Sequence, residues 1–254
     1  MKNKDHLSAP QYKCARCQDR GFIIKNEVAY RCPCMKQRAV EQLFRHSGLG
    51  SLQKECTFAN FSFAYYPDVY NEELGFTYYQ NARTALKAAE EFAKAFVKGD
   101  YHGPGLVFTG PVGSGKTFLA CAIANYVLSK GKPVLFTVVP DLLDQIKATY
   151  DRSPLVDSDE LAILEGARTV DLLILDDLGA HNYTQWTVNK IYSILNYRVN
   201  HQLPVVITTN LSLDELDIYL GERTTSRILQ LCRVYRLASV EDIRCLKSKE
   251  ALHQ

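Results

Sequence analysis

The sequence predicts an α/β fold in which a parallel β-sheet is covered by helices on both faces. From residue 105 onward, short runs of almost continuously apolar residues alternate with longer segments of helical periodicity. Strands that are apolar at nearly every position are buried on both faces, which is typical of a parallel sheet between helical layers. Ligands of such sheets bind at the carboxyl ends of the strands, so we expect the functional residues there.

The individual elements follow from these runs in chain order. The predicted strands are "GLVFTG", "KPVLFTVV", "VDLLILDD", "LPVVITTN" and a weaker "VYRLAS". Helices are predicted around residues 115–130, 141–150, 158–168, 184–200, 212–220 and 222–231. Upstream, amphipathic spacing predicts a long helix from Thr77 to Val97, and "MKQRAVEQLFRHSGL" predicts a connecting helix. We expect two domains, a cysteine-rich module with its linker helix at 1–50 and the α/β domain at 51–254.

Composition is that of a globular protein, with 46% hydrophobic and 23% charged residues. No apolar run is long enough to span a membrane, and the first residues lack the apolar segment of a signal peptide, so we expect a cytoplasmic protein without a membrane partner. Residues 1–50 carry ten Lys/Arg against four Asp/Glu, whereas the remainder carries twenty against twenty-four. The basic segment suits an acidic partner or nucleic acid, and a merely solvated face fits equally well.

A glycine-rich loop between a predicted strand and helix indicates a phosphate-binding P-loop. "GPVGSGKT" matches the pattern G-x-x-x-x-G-K-[ST] in the required strand-to-helix context. Its backbone N–H groups and the positive end of the helix dipole suit the phosphates of ATP. Lys116 is expected to reach the β and γ phosphates, and Thr117 to ligate Mg²⁺. The candidate phosphate-binding residues are Gly110, Pro111, Val112, Gly113, Ser114, Gly115, Lys116 and Thr117.

Two later strands end in polar residues that would face this loop. "DLLILDDLG" resembles a Walker B segment, in which Asp176 would hold Mg²⁺, directly or through water, and Asp177 would orient the attacking water. An aspartate is one methylene shorter than the glutamate common there, which predicts slow hydrolysis without a partner. Asn210, after "VVITT", is placed to touch the γ-phosphate or the water. A plain capping role is the alternative, because the capping box Ser212-x-x-Glu215 follows.

The order of these motifs resembles the bacterial AAA+ helicase-loader family of DnaC and DnaI type and its relative, the IstB-type transposition ATPases. The matching stretches are "GPVGSGKTFLA", "LLILDDLG", "WTVNKIYSILNYRVNHQLPVVITTNLSLDEL" and "GERTTSRI". The resemblance implies that Arg227 is an arginine finger for a neighbouring subunit's γ-phosphate, with Arg223 one turn earlier. It also implies a sensor arginine at Arg244. Such a finger works only in a homo-oligomer, and surface solvation is the alternative for all three arginines.

Four cysteines near the N-terminus predict a metal site. Cys14-x-x-Cys17 and Cys32-x-Cys34 flank a spacer rich in apolar residues that can form a hairpin and bring both pairs together. Four thiolates close a tetrahedral shell, which suits structural Zn²⁺ and leaves no open position for catalysis. An Fe–S cluster or free redox thiols are the alternatives. The other cysteines, Cys56, Cys121, Cys232 and Cys245, are expected to act as small core residues.

The resemblance implies an ATP-dependent helicase loader. Such a protein would bind the replicative hexameric DNA helicase through its zinc module, deliver it to single-stranded DNA, and use ATP hydrolysis to time release. Lys147 and Arg152 are candidates for DNA contact. The alternatives are an IstB-like transposition helper that acts on duplex DNA and a nucleotide-gated adaptor with negligible hydrolysis.

Overall fold

The computed structural model describes residues 12, 14–18, 20–25, 28–32, 34, 48–50, 55–99, 101–148, 157–179 and 183–252. The chain divides into two compact units, residues 1–42 and 43–254. Most of the predicted connecting helix and the candidate DNA contact Arg152 fall outside the described residues. None of the helices among the residues described is long and apolar enough to cross a membrane.

The first unit contains an antiparallel hairpin. Its strands are β1 (Phe22–Lys25) and β2 (Val28–Arg31), and Phe22 pairs with Arg31 at the open end. Beyond that end, the Cys32 N–H donates to the carbonyl of Gly21. The pairing therefore returns the chain from Cys17 to the neighbourhood of Cys32, as the apolar spacer predicted.

A five-stranded parallel sheet forms the centre of the second unit, in the order β6-β7-β8-β5-β9. Its strands are β5 (Gly105–Thr109), β6 (Val134–Val138), β7 (Leu172–Leu178), β8 (Val205–Thr209) and β9 (Cys232–Arg236). A small hairpin, β3 (Tyr70–Asn71) and β4 (Phe76–Thr77), precedes it.

Only the last predicted strand is displaced. It begins at Cys232 because β9 pairs residue by residue with β5, from Gly105 opposite Cys232 to Thr109 opposite Arg236. The Leu237 N–H then donates to the Thr109 carbonyl at 2.7 Å, where β5 ends. The length of the partner strand, not the apolar run itself, sets where β9 stops.

Helices cover both faces of this sheet, as predicted. They are α1 (Tyr78–Val97), α2 (Lys116–Ser129), α3 (Val139–Ala148), α4 (Asp157–Thr169), α5 (Gln185–Asn200), α6 (Leu213–Leu220), α7 (Glu222–Leu231) and α8 (Ile243–Leu252). Alternate strand residues enter two separate cores. Leu106, Phe108 and Ile174 pack in the core that contains α1 and α2, whereas Val107 and Leu175 pack against α3 to α7.

Local sequence signals fix several helix starts. Thr77, Thr184 and Ser212 each begin a helix with a reciprocal capping box, in which the side chain accepts from the third helical N–H.

The expectation for the scattered cysteines was right for Cys121 and Cys232, which are buried, and wrong for Cys245, which is exposed on α8. Cys245 follows Arg244 on the solvent side of a short terminal helix, so no core is available to it.

Arg198 on α5 is completely buried and donates hydrogen bonds to backbone carbonyls of several connecting segments. Burial lowers the pKa of its guanidinium to about 9. The cost of burying this cation is offset by hydrogen bonds to backbone carbonyl oxygens at the end of α4 and before β7 and β8. The acceptors are the carbonyls of Ala167, Arg168, Val170, Asp171 and Pro204.

We predict that Arg198→Met destabilises the protein by about 3 kcal/mol, because buried carbonyls lose their donor. Thermal unfolding should then shift downward by about 6–12 °C for a domain of this size. Arg83→Met, on the exposed side of α1, is the matched control and should leave the melting temperature within about 2 °C. Equal melting temperatures for Arg198→Met and the unchanged protein would show that the carbonyl cluster does not need this cation.

Candidate functional site

The predicted P-loop connects the carboxyl end of β5 to α2. Lys116 begins α2, is only 4% exposed, and donates from Nζ to the carbonyls of Gly110 at 2.9 Å and Pro111 at 2.7 Å. Burial lowers the pKa of Lys116 to about 8, and the nearby Asp177 and Asp176 oppose that shift. The ammonium group thus occupies the inside of the loop, where an anion would offer it a better partner.

A tyrosine from the aromatic segment that runs from Phe58 to Tyr70 contacts the P-loop. Tyr66 is 2% exposed, and its hydroxyl donates to the Ser114 carbonyl at 2.8 Å. Gly115 has φ +96°, and a Cβ atom there would lie 2.5 Å from the Tyr66 hydroxyl oxygen. Glycine is required at this position by the backbone conformation and by the tyrosine together.

The aromatic segment otherwise packs against the core. Phe61 stacks on Tyr66 with ring centroids 5.4 Å apart and meets Phe118 of α2 edge-on. Tyr70 differs, since it is exposed on β3. The segment therefore packs against α2 through Phe61 and contacts the P-loop through Tyr66.

A buried carboxylate at the end of β7 joins three elements of the site. Asp176 is 3% exposed, and its Oδ1 accepts from the Thr117 hydroxyl at 2.9 Å and from the Thr208 hydroxyl at 2.6 Å. Burial raises the pKa of Asp176, although both hydroxyl hydrogen bonds oppose the rise. A cation beside it would stabilise the ionised form. Thr117 and Asp176 together offer the oxygen ligands that Mg²⁺ prefers, so the residues fit that ion.

Asp177, next to Asp176 at the end of β7, has an unusual backbone conformation. Its φ is +55°, and the β7–β8 pairing shifts register between Leu175 and Leu178. The Asp177 N–H donates to the Thr208 hydroxyl at 3.0 Å. Thr208 thus contacts both aspartates, and the left-handed residue lies where the β7–β8 pairing is irregular, beside the two carboxylates.

Asn210 follows β8, which lies between β7 and β5 in the sheet. The asparagine is exposed, and its flanking residues are fixed. Leu211 donates through its N–H to the Thr209 hydroxyl at 3.0 Å and accepts at its carbonyl from Thr109 at 2.6 Å. Asn210 is therefore held between the P-loop strand and the strand of the two aspartates.

Arg244 lies near this centre, whereas Arg223 is exposed and Arg227 is half-buried on α7. Arg244 lowers the pKa of Lys116, and Asp177 raises the pKa of Arg244, after the larger effect of Asp242. Arg227 donates to Gln230 of its own helix at 2.8 Å. Arg223 lines a surface cavity of about 460 Å³ beside α5 and α6.

The four predicted zinc ligands converge in the first unit. Their Sγ atoms all lie within 4.8 Å of one another, with Cys14 to Cys32 at 3.8 Å and Cys17 to Cys34 at 3.4 Å. Thiolates bound to one Zn²⁺ at about 2.3 Å lie about 3.8 Å apart in a tetrahedron, so the cluster fits that ion. The Cys17 N–H lowers the pKa of the Cys14 thiol to about 7, whereas burial raises that of Cys34. Bound metal would hold all four as thiolates.

Sequence reasoning missed Tyr66 and Thr208. Tyr66 belongs to a run of aromatic residues, and nothing in that run distinguishes the one whose hydroxyl reaches the P-loop. Thr208 carried a usable signal, because a hydroxyl at the carboxyl end of a strand next to β7 is well placed to hold its aspartates.

For the cysteine cluster, we predict one zinc ion per chain, measured by elemental analysis of the purified protein. Cys17→Ser combined with Cys34→Ser should lose it, because two thiolates cannot complete the shell. Cys245→Ser, which changes an exposed cysteine outside the cluster, should keep the full zinc content. Iron with visible charge-transfer absorption, or zinc retained by the double variant, would contradict the assignment.

Comparisons with known proteins identify the family of this chain. A family model described as "IstB-like ATP binding protein" matches residues 21–244. "Uncharacterized protein YqaM" of Bacillus subtilis is 30% identical over 226 residues, which are 85% of this chain and 65% of YqaM. "Replicative helicase loader DnaC" of Escherichia coli K12 is 29% identical over 189 residues, 74% of this chain and 69% of DnaC.

The fold agrees as well. A solved structure described as "Crystal structure of the DnaC helicase loader" has a TM-score of 0.60 at 25% identity, and the match covers 74% of this chain and 100% of that one. The resemblance of the motifs to the AAA+ loader and IstB-type proteins is thereby confirmed. Because the family model matches most of the sequence, this chain belongs to the family of IstB-like ATP-binding proteins.

Proposed function

We propose that this protein is an ATPase that binds a replicative hexameric DNA helicase, delivers it to single-stranded DNA, and times its release by ATP hydrolysis. The observation that carries the nucleotide part is the buried contact of Asp176 with Thr117, 2.9 Å long, at the start of the P-loop helix. The loader part is supported by the similarity to DnaC reported above.

In the proposed chemistry, the P-loop amides and Lys116 bind the β and γ phosphates of ATP. Mg²⁺, held by Thr117 and by Asp176 directly or through water, would neutralise the charge that develops on the phosphates. Lys116 would exchange its two backbone carbonyls for phosphate oxygens. The change costs little, because the ammonium is already desolvated inside the loop.

Water attack would be directed by Asp177 and Asn210. Asp177 is the proposed orienting carboxylate, and its short side chain is carried by a backbone held at φ +55°. We propose that hydrolysis is slow in the isolated protein and becomes faster when a partner completes the site. An arginine supplied by a second copy suits that role. The candidates on α7 for such a homo-oligomer are the half-buried Arg227 and its exposed neighbour Arg223.

The zinc module is the proposed contact with the helicase. Its hairpin exposes apolar side chains on both faces, with Phe22 45%, Ile24 64%, Val28 52% and Tyr30 54% exposed. Paired strands place Phe22 and Ile24 on one face and Val28 and Tyr30 on the other. Exposed apolar side chains at this density are typical of protein-binding surfaces.

Lys147, exposed in the last turn of α3, remains a candidate DNA contact.

The test is native mass spectrometry of the full chain mixed with the replicative helicase of its own host, ATP and Mg²⁺. We predict a complex with the unchanged protein and with Cys245→Ser. The Cys17→Ser, Cys34→Ser variant should lose it, because the hairpin is no longer held at its open end.

Other outcomes identify the alternative functions. If no complex forms with the helicase and the protein alone assembles on duplex DNA, the transposition-helper function replaces the loader. If the helicase complex forms and ATP binds without hydrolysis in a single-turnover measurement, the protein is a nucleotide-gated adaptor.

A further inference from the structure

The start of α8 is attached to the P-loop at one glycine. The Ile243 N–H donates to the Gly113 carbonyl at 3.1 Å. The Asp242 carboxylate fills the space beside the same residue, since a Cβ atom on Gly113 would lie 2.0 Å from the Asp242 Cγ and Oδ1 atoms. Gly113, with φ +73°, therefore leaves room for an acidic side chain at the edge of the phosphate-binding loop.

Asp242 makes two kinds of contact with Arg244. Its Oδ1 accepts from the Arg244 backbone N–H at 2.8 Å, as an N-terminal capping residue does. Its two carboxylate oxygens also accept from the guanidinium, at 3.2 Å from Nε and 3.0 Å from Nη2. The first contact requires only an acceptor oxygen, whereas the second depends on the negative charge.

The Asp242–Arg244 ion pair lies beside the phosphate-binding loop, so it can affect phosphate binding. The Asp242 carboxylate is in contact with Gly113, in the loop that would receive the phosphates. The negative charges of the carboxylate and of a bound phosphate would repel each other. Arg244, the one cation bound to Asp242 among the described residues, is 70% exposed. Its charge already acts on Lys116, inside the loop.

We propose that Asp242 is a counter-ion that occupies Arg244 while the P-loop is empty and releases it to the phosphate chain of a nucleoside triphosphate. This inference rests on the proposed ATP site. Binding then exchanges one anion for another at the guanidinium, and Asp242 keeps its capping contact with the Arg244 backbone. The exchange makes ATP affinity depend on competition between a carboxylate and the terminal phosphate, so Asp242 is a positioning residue that weakens triphosphate binding more than diphosphate binding.

The test is the affinity for ATP and ADP, measured by isothermal titration calorimetry with Mg²⁺ on the full chain. Asp242→Asn keeps a good capping residue and removes the charge. We expect it to bind ATP about three- to tenfold more tightly and to change ADP affinity less than about twofold, in line with the strength of a partly exposed ion pair. Asp242→Ser supplies a second neutral capping residue, in case the first variant disturbs the fold.

The arginine provides the decisive comparison. If Asp242 acts by occupying Arg244, the gain in ATP affinity disappears when Asp242→Asn is combined with Arg244→Gln. A gain that persists in the double variant would mean that Asp242 only repels the phosphates, and would overturn the exchange. A purely structural role would change the melting temperature without changing the ratio of ATP to ADP affinity.

Glu241→Gln is the matched control. It removes the same charge one residue earlier, where Glu241 is 55% exposed and bonds to Lys249 at 3.4 Å. This control should leave both affinities unchanged, and an equal gain in it would overturn the inference. If ATP does not bind the unchanged protein, the proposed nucleotide function fails. If ATP binds but Asp242→Asn leaves the affinity ratio unchanged, only the inference fails.

Discussion

The hydrogen bonds around the buried Asp176 carboxylate are the interaction on which the candidate site depends. They join the end of β7 to the start of α2 through Thr117 and to the end of β8 through Thr208. A carboxylate this deeply buried is costly as an anion, which is why burial raises its pKa. The two hydroxyl donors offset part of that cost, and a cation beside the carboxylate would offset more of it. The same contact therefore fixes the local fold and buries a carboxylate that a divalent cation such as Mg²⁺ would stabilise.

The P-loop is held from opposite ends of the domain. Tyr66, which precedes the sheet, donates to its Ser114 carbonyl, and Ile243, near the end of the chain, donates to its Gly113 carbonyl. Both flanking segments therefore contact the P-loop backbone directly, and a shift of the loop on nucleotide binding would reach the aromatic segment and α8.

The sequence was most informative where one local pattern determines the structure. The strand of Leu106 to Phe108, the loop around Lys116 and the capping box at Ser212 were predictable, because propensity, periodicity and motif agree there. Contacts that depend on tertiary placement were not. Arg198 sits in an amphipathic helix where an arginine usually faces water, and only the packed fold brings backbone carbonyls around it. The left-handed backbone of Asp177 likewise arises from pairing with β8, which no single segment encodes.

The most direct test of the central claim is a crystal structure of the protein grown with Mg²⁺ and a non-hydrolysable ATP analogue. We expect the phosphates within the P-loop and Lys116 Nζ moved from the Gly110 and Pro111 carbonyls to phosphate oxygens. We also expect Mg²⁺ on the Thr117 hydroxyl, with Asp176 bound to it directly or through one water. A nucleotide bound elsewhere, or a phosphate chain in the loop with Mg²⁺ away from Thr117 and Asp176, would contradict the claim.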